Sequence, residues 1–304
     1  MNTKKSISLF IVFCLTAIMM TSCGGSSDAS EYNELTFSLS GIKELIISYD
    51  DEDVSFFESD RDELVIREYM SEDKESYHAD VVEEDGTIKI SEGGKPLFKG
   101  DFTRYIEVYL PAAYSQSLKV TTTDGDIDMS HIELDMDNIR VDCTSGTFRL
   151  NKATAGKIYF SSTSGRLDLG SVKGGSIKIE TTDGEVSCEK AEGKVKYTST
   201  SGNGEFLSVI GSGSYRAENS GKLSVRYDEV TGDLSFFNKN DNVQVKLPKE
   251  LSFEFEAVTK NGSIDTNFGE GISVDGSSAK GVVGENPQVK VKAETRNGNI
   301  EVNR

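Results

Sequence analysis

The sequence predicts an all-β protein built as a single-chain β-solenoid, a β-helix-like stack with coils of about 19 residues and an irregular N-terminal cap. Three observations predict it. A short phrase of small polar residues ending in glycine recurs along the second half of the 304-residue chain. Apolar and polar residues alternate on either side of each phrase, the period of a strand with one buried face. Beyond the N-terminus no long segment carries a 3.6-residue period, so helix is expected to be minimal.

The first element stands outside the fold. Lys4 and Lys5 precede an apolar stretch from Ile7 to Met20, which at 14 residues is too short to span a membrane and fits the core of a signal peptide. Met20-Thr21-Ser22-Cys23 resembles a bacterial lipobox, whose cysteine is lipidated and becomes the mature N-terminus. The resemblance implies a lipoprotein signal peptide over residues 1–22, lipid on Cys23, and a cell-envelope protein anchored to a membrane, the outer membrane of a Gram-negative cell. Two or more acyl chains hold such an anchor stably. Residues 23–30, rich in Gly and Ser, read as a flexible tether.

Residues 31–118 form an acidic, β-rich N-terminal or capping part. Leu35–Leu39, Leu45–Ile47, Val54–Phe56, Leu64–Ile66, Ile88–Ile90 and Ile106–Leu110 are strand candidates. Residues 28–85 hold 20 acidic and 4 basic side chains, so most of the formal net charge of −18 lies there. Charge on exposed strand edges blocks further pairing, and a solenoid ends in such edges, so irregular terminal coils are expected as caps.

Residues 119–304 are the repeat solenoid. Thr123-Asp124-Gly125, Thr144-Ser145-Gly146, Thr163-Ser164-Gly165, Thr182-Asp183-Gly184, Thr200-Ser201-Gly202 and Asn219-Ser220-Gly221 place their glycines 21, 19, 19, 18 and 19 residues apart. Lys260-Asn261-Gly262 and Arg296-Asn297-Gly298 are further copies. Each unit reads as strand, tight turn, strand and loop, with glycine expected to supply positive φ at the turn. The first inward position after the turn holds Ile127, Phe148, Leu167, Val186, Leu223, Ile264 and Ile300. Such sameness suits side chains stacking between parallel coils; an antiparallel β-sandwich, with each turn a hairpin, is the alternative and would call for complementary neighbours instead. In the solenoid register Cys143 and Cys188 fall two coils apart, roughly 9.6 Å, beyond disulfide reach, and both read as small buried hydrophobes.

Composition and motifs exclude several activities. A net charge of −18 makes nucleic acid an unsuitable partner, because binding a polyanion depends on Lys and Arg displacing counterions. The two histidines, His78 and His131, lie in unrelated polar contexts and read as surface residues. Asp124-Gly125-Asp126-Ile127-Asp128 imitates the start of an EF-hand loop, but the required Gly and Glu places hold Met129 and Asp135. Asp50, Asp51 and Asp53 form the other acidic cluster weighed for calcium. No nucleophile elbow, phosphate-binding loop or dinucleotide fingerprint occurs. The sequence thus names no catalytic residue, cofactor or metal.

The Thr-Ser-Gly, Thr-Asp-Gly and Asn-Gly phrases, the Leu110-Pro111 and Leu247-Pro248 pairs, and the terminal Ala293–Ile300 segment resemble a bacterial family of surface-associated β-repeat lipoproteins labelled "putative adhesins". The resemblance covers residues 40–304 and implies a solenoid-like fold without enzymatic activity. The expected function is therefore a lipid-anchored, non-catalytic envelope protein, an adhesin or scaffold that binds a glycan or a cell-surface protein through a repetitive β surface. A polysaccharide-active β-helix enzyme and an envelope-stress accessory protein are the alternatives.

Overall fold

A computed structural model describes residues 31–96, 102–269 and 271–304; the predicted signal peptide, the tether and Cys23 lie outside the described residues. The N-terminal part contributes β1 (Glu31–Ser38), β2 (Glu44–Ser48), β3 (Asp53–Ser59), β4 (Glu63–Met70), a single 3-10 turn at Glu75–Tyr77, β5 (Asp80–Glu84), β6 (Thr87–Ser91), β7 (Arg104–Pro111) and β8 (Ser117–Thr122). Six long strands follow: β9 (Ile127–Cys143), β10 (Phe148–Ser162), β11 (Leu167–Thr181), β12 (Val186–Ser199), β13 (Gly204–Ala217) and β14 (Leu223–Asn238). Shorter ones complete the chain: β15 (Val243–Lys246), β16 (Phe253–Thr259), β17 (Ile264–Thr266), β18 (Ile272–Asp275), β19 (Ser278–Val283), β20 (Val289–Thr295) and β21 (Ile300–Asn303).

From β8 to β15 each strand pairs in parallel with the next one in sequence, as the repeat spacing requires. Phe148 pairs with Ile127 and Leu167, and Leu167 with Val186, so the apolar ladder read from the sequence is a ladder in space. All four side chains are buried, each contributing about 1.5–3 kcal/mol relative to exposure. The row continues through Gly204, Leu223, Val243, Ile300 and Ile264. Gly204 supplies no side chain there because the Tyr197 ring occupies the space; a Cβ would lie 2.8 Å from it.

Two local expectations are corrected. The loop expected after each strand pair is absent from the central coils: β10 to β13 run on through a bend, and no separate connection is needed. Gly193 and Gly211 sit at that bend with φ of 137° and 139°, and a Cβ on either would approach the carbonyl of the coil below to 1.8 and 2.0 Å. The turn glycines, conversely, do not serve mainly to supply positive φ. Among the eight in the phrases above only Gly221 does so, at 103°. The others are needed for closeness, since a Cβ at Gly165 would lie 2.0 Å from the Gly146 carbonyl oxygen.

Spatial order departs from sequence order at both ends. At the N-terminal end β2 pairs in parallel with β8 on one side and β6 on the other, while β3 lies between β9 and β7. The β2–β3 pair is thus slotted between the level formed by β6 and β7 and the level formed by β8 and β9. At the C-terminal end β20 lies between β14 and β16, and β21 between β15 and β17. The last strand pair of the chain therefore enters the stack one level below residues that precede it in sequence. Antiparallel strands close both ends: β4 on β7, β1 on β4 and β5 on β6 at one, β19 on β16 and β18 on β19 at the other. The acidic run falls on the first of these lids, with Asp80, Glu83 and Glu84 all exposed along β5, the placement expected of charge that blocks edge pairing. One apolar cluster runs from Ile42 to Val302 through the whole stack.

Candidate binding edge along the turns

Each turn joins two inward-facing strands, so its middle residues must leave the core. The chain solves the backbone problem by stacking turn on turn. The amide of Ser145 donates to the Thr123 carbonyl at 2.9 Å, Ser164 to Thr144 at 2.8 Å, Asp183 to Thr163 at 2.7 Å and Ser201 to Thr182 at 2.7 Å. Directly beneath, a buried polar row satisfies turn carbonyls: Thr122 Oγ1 donates to the Gly125 oxygen at 2.9 Å, Ser199 Oγ to Gly202 at 3.1 Å and Thr295 Oγ1 to Gly298 at 2.6 Å. With backbone groups paired and glycine on the close-contact side, the remaining residues are presented to solvent. Thr123, Thr144, Thr163, Thr182 and Thr200 are all exposed and form one row along a single edge. These are the Thr and Ser positions singled out before the turn glycines, and they are brought together.

Towards the C-terminal end the row changes chemistry. Asn240 Nδ2 donates to Asn219 Oδ1 at 3.2 Å, Asn297 Nδ2 to Asn240 Oδ1 at 2.6 Å and Asn261 Nδ2 to Asn297 Oδ1 at 2.8 Å. Amide to amide, this ladder follows the spatial order 219, 240, 297, 261. A neighbouring row of carboxylate and amide oxygens caps backbone amides of the next coil: Asp53 to Asp126, Asp126 to Thr147, Asn203 to Lys222 and Asn242 to Asn299, at 2.7–2.9 Å. The edge is consequently rigid and regular, and Asp183 brings an exposed carboxylate to its middle.

The other residues weighed from sequence go elsewhere. Asp124 accepts the Ser145 hydroxyl, and the Asp50 carbonyl accepts the Thr123 and Asp124 amides at 2.8 Å. Asp51 and Glu52 face Lys95 at 3.1 and 3.3 Å, and Glu52 and Glu92 meet the Arg104 guanidinium at 3.0 and 2.6 Å. The described residues hold no group of three or more His, Cys, Asp or Glu placed to bind a metal ion. His131 is exposed and stacks on Phe57 at 5.5 Å; His78 meets Asp73 at 2.5 Å. Cys143 and Cys188 are buried in separate ladders, Cys143 beside Ser162 and Cys188 beside Leu169. Burial pushes both thiols up, that of Cys188 to about 12, so neither is a reactive thiolate. A groove of about 270 Å³ at the coil bend is lined by Thr154, Lys173, Gly174, Glu192 and Gly193, and Lys173 and Glu192 pair within it at 2.5 Å.

Sequence reading missed two turns of the same edge. Glu52 and Asp241 stand where the other turns carry glycine, and Gly125 and Gly298 pack against their carbonyls. The signal that would have found the second is spacing, since Asp241 lies 20 residues after Gly221. Arg104, whose side chain is fully buried among acids, was also missed.

A parallel stack of turn ladders with both terminal strand pairs slotted inward now stands beside a family match over residues 42–303. The chain belongs to the Toastrack DUF4097 family. The resemblance read from the turn phrases is thereby borne out at the level of a β-repeat family of unassigned function. No curated protein matches the chain. Among solved structures, a "Putative lipid binding protein" from Parabacteroides distasonis ATCC 8503 is 13% identical with a TM-score of 0.51, over 90% of this chain and 97% of that one. A "putative adhesin" from the same organism is 12% identical with a TM-score of 0.48, over 90% and 97%. Another, from Bacteroides fragilis NCTC 9343, is 10% identical with a TM-score of 0.37, over 91% and 100%. At such identities the first of these speaks to the fold alone.

Proposed function

We propose that this Toastrack protein is an exported, lipid-anchored, non-catalytic component of the cell envelope that acts as an adhesin or scaffold. The exposed threonine row supports this reading most. Hydroxyls repeated at each coil, about 4.8 Å apart, suit several weak hydrogen bonds to the hydroxyls of a glycan or to an extended protein segment, and the array supplies avidity that no single contact has. The apolar leader and Cys23 supply the membrane attachment in this account.

The test replaces Thr144, Thr163 and Thr182 with valine in the protein displayed on cells. Valine keeps the shape and β propensity but removes the hydroxyls. Adhesion to host or envelope glycans should fall severalfold while the melting curve stays unchanged. Undiminished adhesion by a folded triple variant would refute the turn-edge reading.

A further inference from the structure

The second half of each coil carries a different surface from the turn edge. Its outward residues on β8 to β12 include Lys119, Arg140, Lys157, Lys178, Lys194 and Lys196. Four lie in one register row: Lys119 pairs with Arg140, Arg140 with Tyr159, Tyr159 with Lys178, and Lys178 with Lys196. Lys157 and Lys194 flank Ser176 in the adjacent row. In a chain of net charge −18 this is a local reversal of sign. The matching row on the first half of the coils reads Asp128, Arg149, Asp168, Ser187 and Glu205 and has no such excess.

Tyr159 stands at the one level of the basic row without a cation, and it holds the row together. The Arg140 guanidinium carbon lies 4.3 Å from its ring centroid and the Lys178 ammonium 4.9 Å from it, so the ring is gripped by cations from the coils above and below. Arg140 also forks onto Asp142 at 2.5 and 2.9 Å, and Lys178 meets Glu180 at 2.8 Å. Those contacts fix the geometry of the two central cations. Lys119, Lys157, Lys194 and Lys196 are in no ion pair among the described residues.

We infer that this face docks a linear acidic polysaccharide, a polyuronate, lying along the solenoid axis. The row from Lys119 to Lys196 is a line of roughly 19 Å, four strand spacings long, which matches a thin chain of repeated carboxylates. A broad anionic membrane surface would also meet Asp142 and Glu180 beside the row, and a nucleic-acid duplex would meet the acidic remainder of the molecule. Each exposed lysine is worth little alone in salt water; evenly spaced and partly preorganised, they act together. The site lies on a face distinct from the threonine edge and stands without that edge's function.

The test measures binding of the purified full chain to immobilised polygalacturonate, with dextran, anionic phospholipid vesicles and single-stranded DNA alongside. Polygalacturonate should bind most tightly and lose affinity as salt rises. The exposed double variants Lys178→Glu with Lys196→Glu, and Lys157→Glu with Lys194→Glu, should each weaken binding about tenfold or more with unchanged melting curves. The Thr144, Thr163 and Thr182 valine variant should bind polygalacturonate as the parent does, so failure of one surface is read separately from failure of the other. No binding of polygalacturonate, equal binding of dextran, vesicles or DNA, or affinity untouched by both charge reversals would overturn the inference.

Discussion

The central coils and the two ends use the same phrases but obey different rules. In the centre, from β9 to β14, each coil lies beside its neighbours in sequence, and one coil is nearly interchangeable with the next: Phe148, Leu167 and Val186 follow one another in a single ladder. At the ends a turn such as Asn297-Gly298 looks no different, yet its coil lies between residues far away in the chain, Asn240 on one side and Asn261 on the other. The difference shows two ways of finishing a stack. A solenoid that merely stopped would leave bare parallel edges. Here the chain overshoots, turns back as an antiparallel lid, and slots its last strand pair beneath that lid, so each end is tied by contacts of long sequence separation.

The largest expected effect sets these two regions against each other. Deleting residues 165–183, one whole 19-residue coil, rejoins Ser164 to Gly184 and keeps the ladder register, so a shorter solenoid should still fold and melt cooperatively. Deleting residues 289–304, a smaller loss, removes a level that β14, β15, β16 and β17 all pair with, and the C-terminal end should lose protection from hydrogen exchange altogether. A folded C-terminal end in the second variant would show that the slotted strands are dispensable.

Next in size is the charge pinned inside the N-terminal end. The Arg104 side chain is completely buried, donating to the Tyr77 carbonyl at 2.6 Å and to Glu52 and Glu92. Arg104→Met leaves those acids with Lys95 as their remaining cation among the described residues and strips the Tyr77 carbonyl of its donor, and it should cost about 3 kcal/mol in urea unfolding. The central coils offer the contrast: Arg166 pairs with Asp168 at 2.6 Å on an open surface, and Arg166→Met should cost less than about 1 kcal/mol. Smaller still is the effect of adding one methyl group at a turn. Gly165→Ala puts a Cβ against the Gly146 carbonyl, and calorimetry should show a loss of about 1–3 kcal/mol as neighbouring turns spread.

Much of the centre was legible because one residue spacing fixes the register of every ladder there. The spacing of Gly146, Gly165 and Gly184 placed Phe148, Leu167 and Val186 correctly, and Cys143 and Cys188 fall in separate ladders. Why glycine is required was misread, since the constraint comes from the carbonyl of the coil below, which no local rule reveals. The ends were illegible for a related reason: the ladder that orders Asn219, Asn240, Asn297 and Asn261 is a contact between distant segments, and each turn taken alone carries no mark of its neighbour. Of the surfaces, the threonine row could be read directly because its residues share a phrase. The basic row could not, because its members, Lys119, Arg140, Lys178 and Lys196, sit among different neighbours and become a row only once the coils are stacked.

Disulfide trapping across the C-terminal levels tests the slotted order most directly. Ser235, Lys292 and Glu256 occupy one register row, with Lys292 in the middle. Cysteines at 235 and 292 would lie one strand spacing apart, about 4.8 Å, and those at 235 and 256 two spacings, about 9.6 Å, outside the range a disulfide bridges. Under mild oxidation of folded protein the Ser235→Cys, Lys292→Cys pair should crosslink and the Ser235→Cys, Glu256→Cys pair should not. The reverse pattern, with 235 joined to 256 and not to 292, would mean that the coils stack in simple sequence order and would contradict the account of how this solenoid closes its ends.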